Sequence, residues 1–461
     1  MTREVFDAIV IGAGQAGPSL AARLGKAGMR VALVERHLLG GTCVNSGCYP
    51  TKTLVASARA MHLARRGAEF GFDAGPVRVD MRRVKARMDG IVGAARAGLE
   101  NWVRGMDGVE WITGHARFTG PRTVGVADRE LAAGKVFINV GARAARPPME
   151  GIEQVPALDN VTVLQLQEVP RHLLIAGGSY IGLEFAQIMR RFGAQVSVVE
   201  RSPRLLPRED ADVAAQVQAI LEAEGVQFHL AAECMAFSPG TSGVRMRTRC
   251  APGDEWLEGS HVLLAVGRTP NTGDLGLDAA GVRTDARGFI EVDDQCATSA
   301  EGVWAVGECN GRGAFTHTAW NDYEIVAANL LDGERRSLRD RVPCYALFID
   351  PPLGRAGMSE QEARATGRPV LVGKRSMQRV GRAKEASETQ GVMKVLVDAG
   401  TRHILGASIL GLAGDEVAHL LLDAMAAGTT ATALARTMHI HPTVSELVPT
   451  VLQELQPLGD G

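Results

Sequence analysis

Cys43 and Cys48 stand five residues apart in the segment 38–52, and their thiols could carry out redox chemistry. A redox-active cysteine needs an accessible thiol of lowered pKa, which a helix N-terminus and a nearby cation can supply. Lys52 is the candidate cation, because four residues after Cys48 it shares one helical face with that cysteine. A zinc pair and two unrelated thiols are the alternatives, and zinc would need two further ligands that the nearby sequence does not offer.

A second candidate is the C-terminal pattern His441-Pro442-Thr-Val-Ser-Glu446. Pro442 suits the first position of a helix, which places His441 just before that helix and Glu446 in its early turns. A carboxylate on one imidazole nitrogen fixes the tautomer and raises the basicity of the other. Thiol–disulfide exchange requires such a base, although a single histidine near a helix start is more often structural. We interpret the neighbouring His439 as structural.

The elements that must position these groups begin with a glycine turn near the N-terminus. An apolar run at 6–11 precedes Gly12, Gly14 and Gly17, and a second apolar run is closed by Glu35. This order predicts a strand, a turn, a helix and a strand, which is the fingerprint of a dinucleotide-binding unit. The glycines permit the tight turn, the close approach of a pyrophosphate and the close packing of helix on strand.

The same unit recurs in the middle of the chain. Residues 172–176 precede Gly177, Ser179 and Gly182, and Glu200 closes the following apolar run. The third glycine and the acid are 18 residues apart in both copies. Ser179 replaces the middle glycine, so we expect a slightly less close backbone approach. One such motif is weak evidence, but two in βαβ context predict two dinucleotide sites.

Other apolar strands also run into glycine, which suits a ligand crevice at the carboxyl ends of a sheet. They lie at 134–141, 262–267 and 303–307. The pattern changes after about residue 340. Runs at 392–397 and 404–409 alternate with small residues, and an alanine-rich helix is expected at 414–427. These features predict a third, α+β domain.

Composition narrows the classes of function. The 461 residues suggest about three domains, and 46% hydrophobic with 22% charged residues exclude a disordered chain. A net charge of −2 and 5% aromatic residues argue against nucleic-acid binding. Seven cysteines are too few for a disulfide scaffold. We find no signal peptide and no apolar run that spans a membrane, and we expect a cytoplasmic protein.

These motifs together resemble the FAD-dependent pyridine nucleotide–disulfide oxidoreductases, which include dihydrolipoamide dehydrogenase, glutathione reductase and mercuric reductase. The resemblance covers nearly the whole chain. It implies an α/β fold with two Rossmann-like domains, the NAD(P) domain being inserted in the FAD domain, and a C-terminal α+β dimerisation domain. The implied boundaries are 1–148 and 267–340 for the FAD domain, 149–266 for the NAD(P) domain and 341–461 for the dimerisation domain.

The resemblance also implies roles for the reactive residues. Cys43 and Cys48 would form a redox-active disulfide, in which Cys43 exchanges with substrate and Cys48 contacts the flavin. Lys52 and Glu184 look like the ion pair beside the flavin and the nicotinamide. The pattern His441-Pro-Thr-x-x-Glu446 matches the acid–base pair that one subunit presents to the disulfide of its partner.

Further positions acquire cofactor roles by the same match. Glu35 is expected at the FAD adenosine ribose, and Glu308 at a ribityl hydroxyl where the family usually has the shorter Asp. Tyr180 matches an aromatic residue that covers the empty nicotinamide pocket, with ordinary helix packing as the alternative. The positions expected to contact FAD or NAD(P) are Gly12, Gly14, Gly17, Glu35, Gly41, Thr42, Lys52, Ala116, Gly141, Gly177, Ser179, Tyr180, Gly182, Glu200, Gly267 and Glu308.

The choice of nicotinamide depends on Glu200. A carboxylate there accepts from the 2′-hydroxyl of NAD and repels a 2′-phosphate. Arg201 and Arg204 follow at once and could pair with that phosphate. We slightly favour NADH over NADPH.

The pair at 441 and 446 also bears on the substrate. Mercuric reductases carry a cysteine pair near the C-terminus, whereas the last cysteine here is Cys344. Segments 315–322 and 348–354 nevertheless look like the mercuric-reductase branch. We predict a homodimer that reduces a small disulfide, with no metal site and no nucleic-acid or membrane partner. The alternatives are a dihydrolipoamide dehydrogenase, a metal-ion reductase and a redox-sensing flavoprotein.

Two further hypotheses concern single residues. Tyr49 and Trp320 could shape a pocket for an aromatic thiol, although core packing is the favoured interpretation. Cys309, next to Glu308, could be sensitive to oxidation. The remaining cysteines show no ligand spacing and are Cys234, Cys250, Cys296 and Cys344.

Overall fold

The structure is a computed structural model that describes residues 3–233, 235–241, 243–248 and 256–459. Its contacts divide the chain into two compact units. Unit one consists of Met1–Thr53, Lys85–Arg146 and Val266–Arg341. Unit two consists of Leu54–Val84, Pro147–Ala265 and Val342–Gly461. The division into FAD, NAD(P) and dimerisation domains stays a prediction.

The strands are β1 (Arg3–Ile11), β2 (Val31–Glu35), β3 (Val109–Thr113), β4 (Ala116–Gly120), β5 (Thr123–Val126), β6 (Arg129–Ile138), β7 (Ala142–Ala144), β8 (Ala157–Leu158), β9 (His172–Ala176), β10 (Gln195–Val199), β11 (Gln227–His229), β12 (Phe237–Gly240), β13 (Gly243–Arg247), β14 (Trp256–Gly259), β15 (His261–Leu264), β16 (Arg268–Pro270), β17 (Val303–Ala305), β18 (Cys344–Leu347), β19 (Leu353–Gly357), β20 (Val370–Ser376), β21 (Val392–Asp398), β22 (Ile404–Leu410) and β23 (Gln456–Pro457).

The α-helices are α1 (Ala16–Lys26), α2 (Gly41–Ser46), α3 (Cys48–Arg65), α4 (Met81–Arg104), α5 (Tyr180–Phe192), α6 (Ala211–Ala223), α7 (Leu277–Ala280), α8 (Thr316–Ala327), α9 (Glu360–Ala365), α10 (Gly381–Glu385), α11 (Gly414–Ala426), α12 (Ala431–Leu434) and α13 (Val448–Gln453). None of the described helices is long and apolar enough to cross a membrane.

Unit one is built on a seven-stranded sheet. Its order is β3-β2-β1-β6-β5-β4, and β17 pairs with β6. Strand β1 runs parallel to β2 and β6. Its side chains alternate between two apolar clusters: Ile9 and Ile11 pack in one, and Ala8 and Val10 in the other. A parallel strand that is buried on both faces produces the nearly continuous apolar run of the sequence.

Unit two contains a parallel sheet of order β11-β10-β9-β15-β8 and two antiparallel sheets. The larger antiparallel sheet has the order β18-β19-β22-β21-β20-β23. Helices α11 and α13 contribute buried Leu421 and Val451 to the apolar cluster that includes Val395 of β21. The expected strands and the alanine-rich helix after residue 340 therefore form as predicted.

A buried ion network fixes the C-terminal end of α5 in unit two. Arg191 of α5 donates to Asp350 at 2.5 Å and to both carboxylate oxygens of Glu224 at 2.7 and 2.9 Å. Arg59 of α3 makes a second ion pair with Asp350. Gln187 exchanges two hydrogen bonds of 2.7 Å with the Asp350 backbone. Because α5 also carries Tyr180 and Glu184, the network holds the helix that presents them.

Candidate active site

The first glycine turn has the geometry that a dinucleotide needs. Gly12 has φ +100°, and a Cβ there would lie 2.4 Å from the Asn139 carbonyl oxygen. A Cβ on Gly17 would lie 2.1 Å from the Gly12 carbonyl oxygen, so helix and strand are too close for any side chain. Glu35 at the end of β2 accepts from the Ala13 backbone N–H at 2.8 Å. The turn and its acid form one rigid unit.

The second turn repeats this arrangement. Gly177 has φ +110°, and a Cβ on Gly182 would lie 2.1 Å from the Gly177 carbonyl oxygen. Glu200 accepts from the Gly178 N–H at 2.7 Å and from the Ser202 N–H at 2.8 Å. Glu35 in the first copy likewise accepts from an N–H two residues on, at 2.8 Å.

Ser179 fits the second turn without strain. Its φ of −113° and ψ of −170° are extended backbone, which any residue can adopt. The departure from glycine at the middle position therefore costs the turn nothing in conformation. Arg201 and Arg204 come soon after Glu200 in the chain, and the Arg204 guanidinium donates to the Pro207 carbonyl at 2.9 Å.

Asn139 is a residue of this site that the sequence did not single out. It follows β6, is buried, and its side-chain amide donates to the Gly12 carbonyl at 3.2 Å. A Cβ on Gly307 would lie 3.2 Å from its Oδ1 atom. Asn139 thus links two of the strand ends that run into glycine. The apolar run at 134–141, which ends in glycine, is the sequence signal that points to this residue.

The two cysteines lie at successive helices of unit one. Cys43 is in α2, and Cys48 is the first residue of α3. A Cβ on Gly41, where α2 begins, would lie 2.9 Å from the Gly14 Cα atom, so the cysteine segment touches the first glycine turn. Both thiols are free and half-buried. The cysteine pair therefore lies beside the first glycine turn.

The environment separates the two thiols in acidity. A hydrogen bond from Cys43 lowers the pKa of Cys48 to about 6, with Thr316 and Lys52 acting in the same direction and burial opposing. The same partnership raises the pKa of Cys43, because a second thiolate beside the first is unfavourable. The pair therefore carries one negative charge at neutral pH, and this charge lies on Cys48. The N-terminus of α3 also favours a thiolate there.

Thr316, the first residue of α8, is a second residue that the sequence did not assign. Its hydroxyl oxygen lies 3.2 Å from the Cys48 sulfur. Replacing it in Thr316→Val should raise the pKa of the Cys48 thiol by about one unit, because a hydrogen bond to a charged group is worth roughly 1.5–3 kcal/mol. The check is the ultraviolet absorbance of the thiolate in the reduced protein as a function of pH.

The sign of this effect follows from the lowered pKa. With a pKa of about 6, roughly nine-tenths of Cys48 is thiolate at pH 7, and the fraction falls as the pH drops through 6. In Thr316→Val the transition should move to higher pH, whereas Thr316→Ser keeps a hydroxyl and should titrate like the original chain. An unchanged transition in Thr316→Val would contradict the role of this hydroxyl.

Glu308 is engaged by a partner that the sequence did not reveal. Arg268 donates from Nε to its carboxylate at 2.5 Å and from Nη2 to the Ala142 carbonyl at 2.5 Å. The longer acid therefore reaches a guanidinium of unit one. Its predicted contact with a ribityl hydroxyl stays a prediction. Of the other expected cofactor positions in unit one, Ala116 is buried in β4, and Gly141 and Gly267 have φ of +62° and +123°.

Tyr180 and Glu184 both lie on α5 of unit two. Glu184 is buried, and its carboxylate accepts from the Phe348 N–H at 3.0 Å. Tyr180 is half-buried and packs edge-on against Tyr345, with ring centroids 5.4 Å apart. Lys52 belongs to unit one. Its pairing with Glu184 stays a prediction.

His441 and Glu446 form the expected pair. The His441 Nδ1 atom lies 2.8 and 3.1 Å from the two Glu446 carboxylate oxygens. The histidine side chain is 81% exposed, whereas that of Glu446 is 17% exposed. Met438 and Ile440 beside it are 95% and 80% exposed. His439 bonds to the Thr437 carbonyl at 2.9 Å.

The predicted helix at Pro442 is wrong. The α-helix begins at Val448, after a single 3-10 turn at Ser445–Leu447. The Thr443 hydroxyl donates to the Ile440 carbonyl at 2.7 Å and accepts from the Glu446 N–H at 3.2 Å. These side-chain bonds form a turn that competes with a helical one. Histidine and carboxylate still meet across this turn, with His441 Nδ1 2.8 Å from the nearer Glu446 oxygen.

Two interpretations of single residues are also wrong. Tyr49 and Trp320 are 46% and 43% exposed in this chain, so neither is a core residue. Cys309 is fully buried and hydrogen-bonds the Ile138 and Val306 carbonyls, and burial raises its pKa to about 12. A buried thiol of raised pKa is inert to oxidants. Cys234 and Cys250 lie outside the described residues.

Within the described ranges, three acidic side chains lie close enough together to hold a metal ion. The one group of three or more candidate ligands found there is Asp210, Asp212 and Glu360, which does not include the cysteines. The Lys394 ammonium lies 2.5–2.9 Å from all three carboxylates and is buried. Lys394 thus lies among the three carboxylates and offsets part of their negative charge.

Comparison with family models agrees with these motifs. Residues 6–322 match the model of the pyridine nucleotide-disulphide oxidoreductases, and residues 344–452 match the dimerisation domain of the same proteins. The two matches cover nearly all of the chain.

Individual relatives extend over almost the same length. The chain is 36% identical to the probable pyridine nucleotide-disulfide oxidoreductase RclA of Escherichia coli, covering 96% of this chain and 97% of the relative. It is 35% identical to dihydrolipoyl dehydrogenase 3 of Pseudomonas aeruginosa, covering 96% of each. A solved Cu(II) complex of the HOCl-induced flavoprotein disulfide reductase RclA superposes with a TM-score of 0.88 at 35% identity, covering 96% and 99% of the two chains.

Proposed function

Because the chain belongs to the pyridine nucleotide-disulphide oxidoreductase family, we propose that it uses NAD(P)H to reduce a low-molecular-weight disulfide through Cys43 and Cys48. The observation that carries the proposal is a pair of adjacent free thiols in which Cys48 begins α3 and has the Thr316 hydroxyl oxygen 3.2 Å from its sulfur. These surroundings lower the pKa of Cys48, whereas the pKa of Cys43 is raised. An exposed His441–Glu446 pair supplies the base that the protonated thiol needs.

The family's cofactors are FAD and NAD(P)H, and the described residues fit both. At Gly12, Gly17 and Gly182 a Cβ would collide with backbone, so helix and strand pack closely at both turns, and each turn donates a backbone N–H to a carboxylate. Gly12, Gly14 and Gly17 would hold FAD with Glu35, and the second turn would hold NAD(P)H with Glu200. When bound, FAD supplies a two-electron carrier between the nicotinamide and the cysteine pair.

The thiol chemistry follows from the two pKa shifts. The Cys43 thiol loses its proton to His441, and the resulting thiolate attacks a substrate disulfide RSSR. A Cys43–SR bond forms, and the first RS⁻ leaves and takes the proton from the imidazolium as RSH. The Cys48 thiolate then attacks the Cys43 sulfur, which expels the second RS⁻ and forms the Cys43–Cys48 disulfide. This RS⁻ takes up a proton from the solvent and leaves as RSH. Two thiols are oxidised and one disulfide is reduced to two RSH.

Lys52 and Thr316 hold the charge on Cys48 while the substrate is absent. This keeps Cys48 from being protonated at neutral pH and leaves Cys43 as the thiol whose reactivity depends on a base. We propose that the base comes from the partner subunit of a homodimer. The exposure of His441, Met438 and Ile440 supports this, because an exposed apolar segment around a polar pair suits a subunit contact.

We propose NADH as the preferred nucleotide. Both Glu200 oxygens are held by backbone N–H groups, so the carboxylate is fixed where the adenosine ribose of the second nucleotide would bind. A fixed carboxylate accepts from a 2′-hydroxyl and repels a 2′-phosphate. Arg204 is engaged with the Pro207 carbonyl.

Glu200→Ala should reduce the ratio of kcat/KM for NADH over that for NADPH by about ten-fold or more, since removal of one charge–phosphate repulsion and one charged hydrogen bond is worth roughly 1.4 kcal/mol or above. The measurement is steady-state kinetics with both nucleotides. Glu222→Ala on the exposed face of α6 is the matched loss of one carboxylate and should leave the ratio unchanged. A ratio that Glu200→Ala does not move would overturn the assignment.

A copper ion is the second candidate substrate, and the observation that favours it is the Cu(II) complex of the relative RclA. Here the Cys43–Cys48 dithiol would be oxidised to the disulfide as two Cu(II) ions are reduced to Cu(I). The experiment that separates the candidates is a steady-state panel of small disulfides, lipoamide, Cu(II) and Hg(II) with NADH and NADPH. Turnover on a disulfide that exceeds turnover on every metal ion supports the primary proposal, and the reverse order contradicts it.

A further inference from the structure

Tyr180 rests against a second tyrosine that no motif had pointed to. The ring of Tyr345 on β18 meets the ring of Tyr180 edge-on, at 5.4 Å between centroids and 76° between planes. The two phenols also hydrogen-bond each other. Both rings are half-buried, and both belong to unit two. Edge-to-face pairs of this kind are energetically favourable beyond the area they bury.

Tyr345 is itself held in place by a buried ion pair. Its hydroxyl donates to Glu209, whose other carboxylate oxygen lies 3.2 Å from the Arg355 guanidinium. The side chains of Glu209 and Arg355 are 0% and 3% exposed. Glu209 and Arg355 are expected to stay paired, because a buried charge without its partner raises the free energy of the folded state.

The register of the antiparallel sheet also fixes the positions of Tyr345 and Arg355. Tyr345 of β18 is directly opposite Arg355 of β19, and Arg355 is directly opposite Ser408 of β22. Arg355 donates to the Ser408 hydroxyl at 2.6 Å. Three neighbouring strands and one acid from the loop before α6 thus determine where the Tyr345 ring stands.

We propose that Tyr345 is a positioning residue that holds Tyr180 in its closed position over the nicotinamide site, with Glu209 and Arg355 as its fixed support. The inference rests on the proposed role of Tyr180 as the cover of that site. In this arrangement NADH must displace Tyr180 from Tyr345 before it binds. The apparent affinity is therefore reduced by the fraction of the protein in which the cover is open.

Removing the Tyr345 ring should raise the fraction of molecules in which Tyr180 does not cover the nicotinamide site. Tyr345→Leu deletes the ring contact and both hydroxyl bonds, and the KM for NADH should fall by about three- to ten-fold, in keeping with the strength of one aromatic pair. The kcat should stay within about two-fold, because Tyr345 touches neither cysteine nor the dyad. Tyr345→Phe keeps the ring and loses the hydroxyl, so its KM should lie between those of the original enzyme and Tyr345→Leu.

The test is steady-state kinetics of the FAD-loaded enzyme, with NADH varied at saturating disulfide, for Tyr180→Ala, Tyr345→Leu, Tyr345→Phe and the double variant Tyr180→Ala/Tyr345→Leu. Trp256→Leu removes a half-buried aromatic from β14 and is the matched control, with no expected change in KM. Thermal unfolding of each variant separates loss of fold from loss of positioning, and Tyr345→Phe carries the test if the leucine variant unfolds.

The proposal predicts that both single variants lower the KM and that the double variant equals Tyr180→Ala, because Tyr345 acts only through Tyr180. A fall in KM for Tyr180→Ala with no change for the Tyr345 variants overturns the positioning role and leaves the cover intact. Additive falls in the double variant also overturn it. An unchanged KM in Tyr180→Ala overturns the cover itself, and with it the proposal.

Discussion

Serine in place of Cys43 should lower NADH-dependent disulfide reduction by about 10⁴-fold or more. The reason is that a serine hydroxyl has no accessible anion near neutral pH, whereas the Cys43 thiol needs only the base His441 to become a nucleophile. The measurement is disulfide turnover by the purified Cys43→Ser enzyme at saturating NADH. Reduction of the bound flavin by NADH should persist, because the nucleotide turns do not depend on the thiol.

The matched control for this variant is Cys344→Ser. Cys344 is half-buried, as Cys43 is, but lies on β18 and not in the cysteine pair. It should keep more than half of the disulfide turnover. Near-normal turnover in Cys43→Ser, or an equal collapse in Cys344→Ser, would mean that the pair at 43 and 48 is not the disulfide-reducing centre.

Removal of the imidazole in His441→Ala should slow disulfide turnover by about 10²–10⁴-fold, the usual range for the loss of a general acid–base group. Cys43 is the thiol of raised pKa, so without a base it is almost fully protonated and unreactive at pH 7. Glu446→Gln should cause a smaller loss, because the amide can still orient the ring but no longer stabilises the imidazolium. Stopped-flow reduction of the flavin by NADH should be unchanged in both.

His439→Ala is the control for the imidazole. This neighbouring histidine bonds to a backbone carbonyl in its own turn and has no acidic partner among the described contacts. Its loss should change turnover by less than about three-fold. If His441→Ala slowed flavin reduction and disulfide reduction equally, the residue would act on something other than thiol exchange.

The sequence predicted the parts of this molecule that repeat. The sequence shows two glycine turns with acids at the same spacing. In the structure each acid accepts from backbone N–H groups at equivalent positions. These are Ala13 and His37 for Glu35, and Gly178 and Ser202 for Glu200. Such features are readable because a tight turn and a close helix–strand contact allow only glycine. The cysteine segment lies against the first of these turns, where a Cβ on Gly41 would be 2.9 Å from the Gly14 Cα atom.

What the sequence did not predict depends on contacts between distant segments. Thr316 reaches Cys48 across 268 positions, and Arg268 reaches Glu308 across 40. No local periodicity records such a partner. The turn around Pro442 was misjudged because the side-chain bonds of Thr443 compete with a helix start.

Exposure of aromatic residues was misjudged for a related reason. Tyr49 and Trp320 lie on the exposed sides of α3 and α8, and residue type alone favours burial for large aromatic rings. The difference in pKa between the two thiols could not be predicted from the sequence either. It arises from a hydrogen bond between Cys43 and Cys48 and from the hydroxyl at the start of α8.

The central claim, that the cysteines of one subunit work with the histidine of the other, is tested most directly by a mixed dimer of Cys43→Ser and His441→Ala subunits isolated with two different affinity tags. Each parent homodimer should be nearly inactive. If the pair acts across subunits, the mixed dimer has one intact site, with cysteines from the His441→Ala subunit and His441 from the other, and should show about half of the original turnover per dimer. A mixed dimer as inactive as its parents would contradict the account.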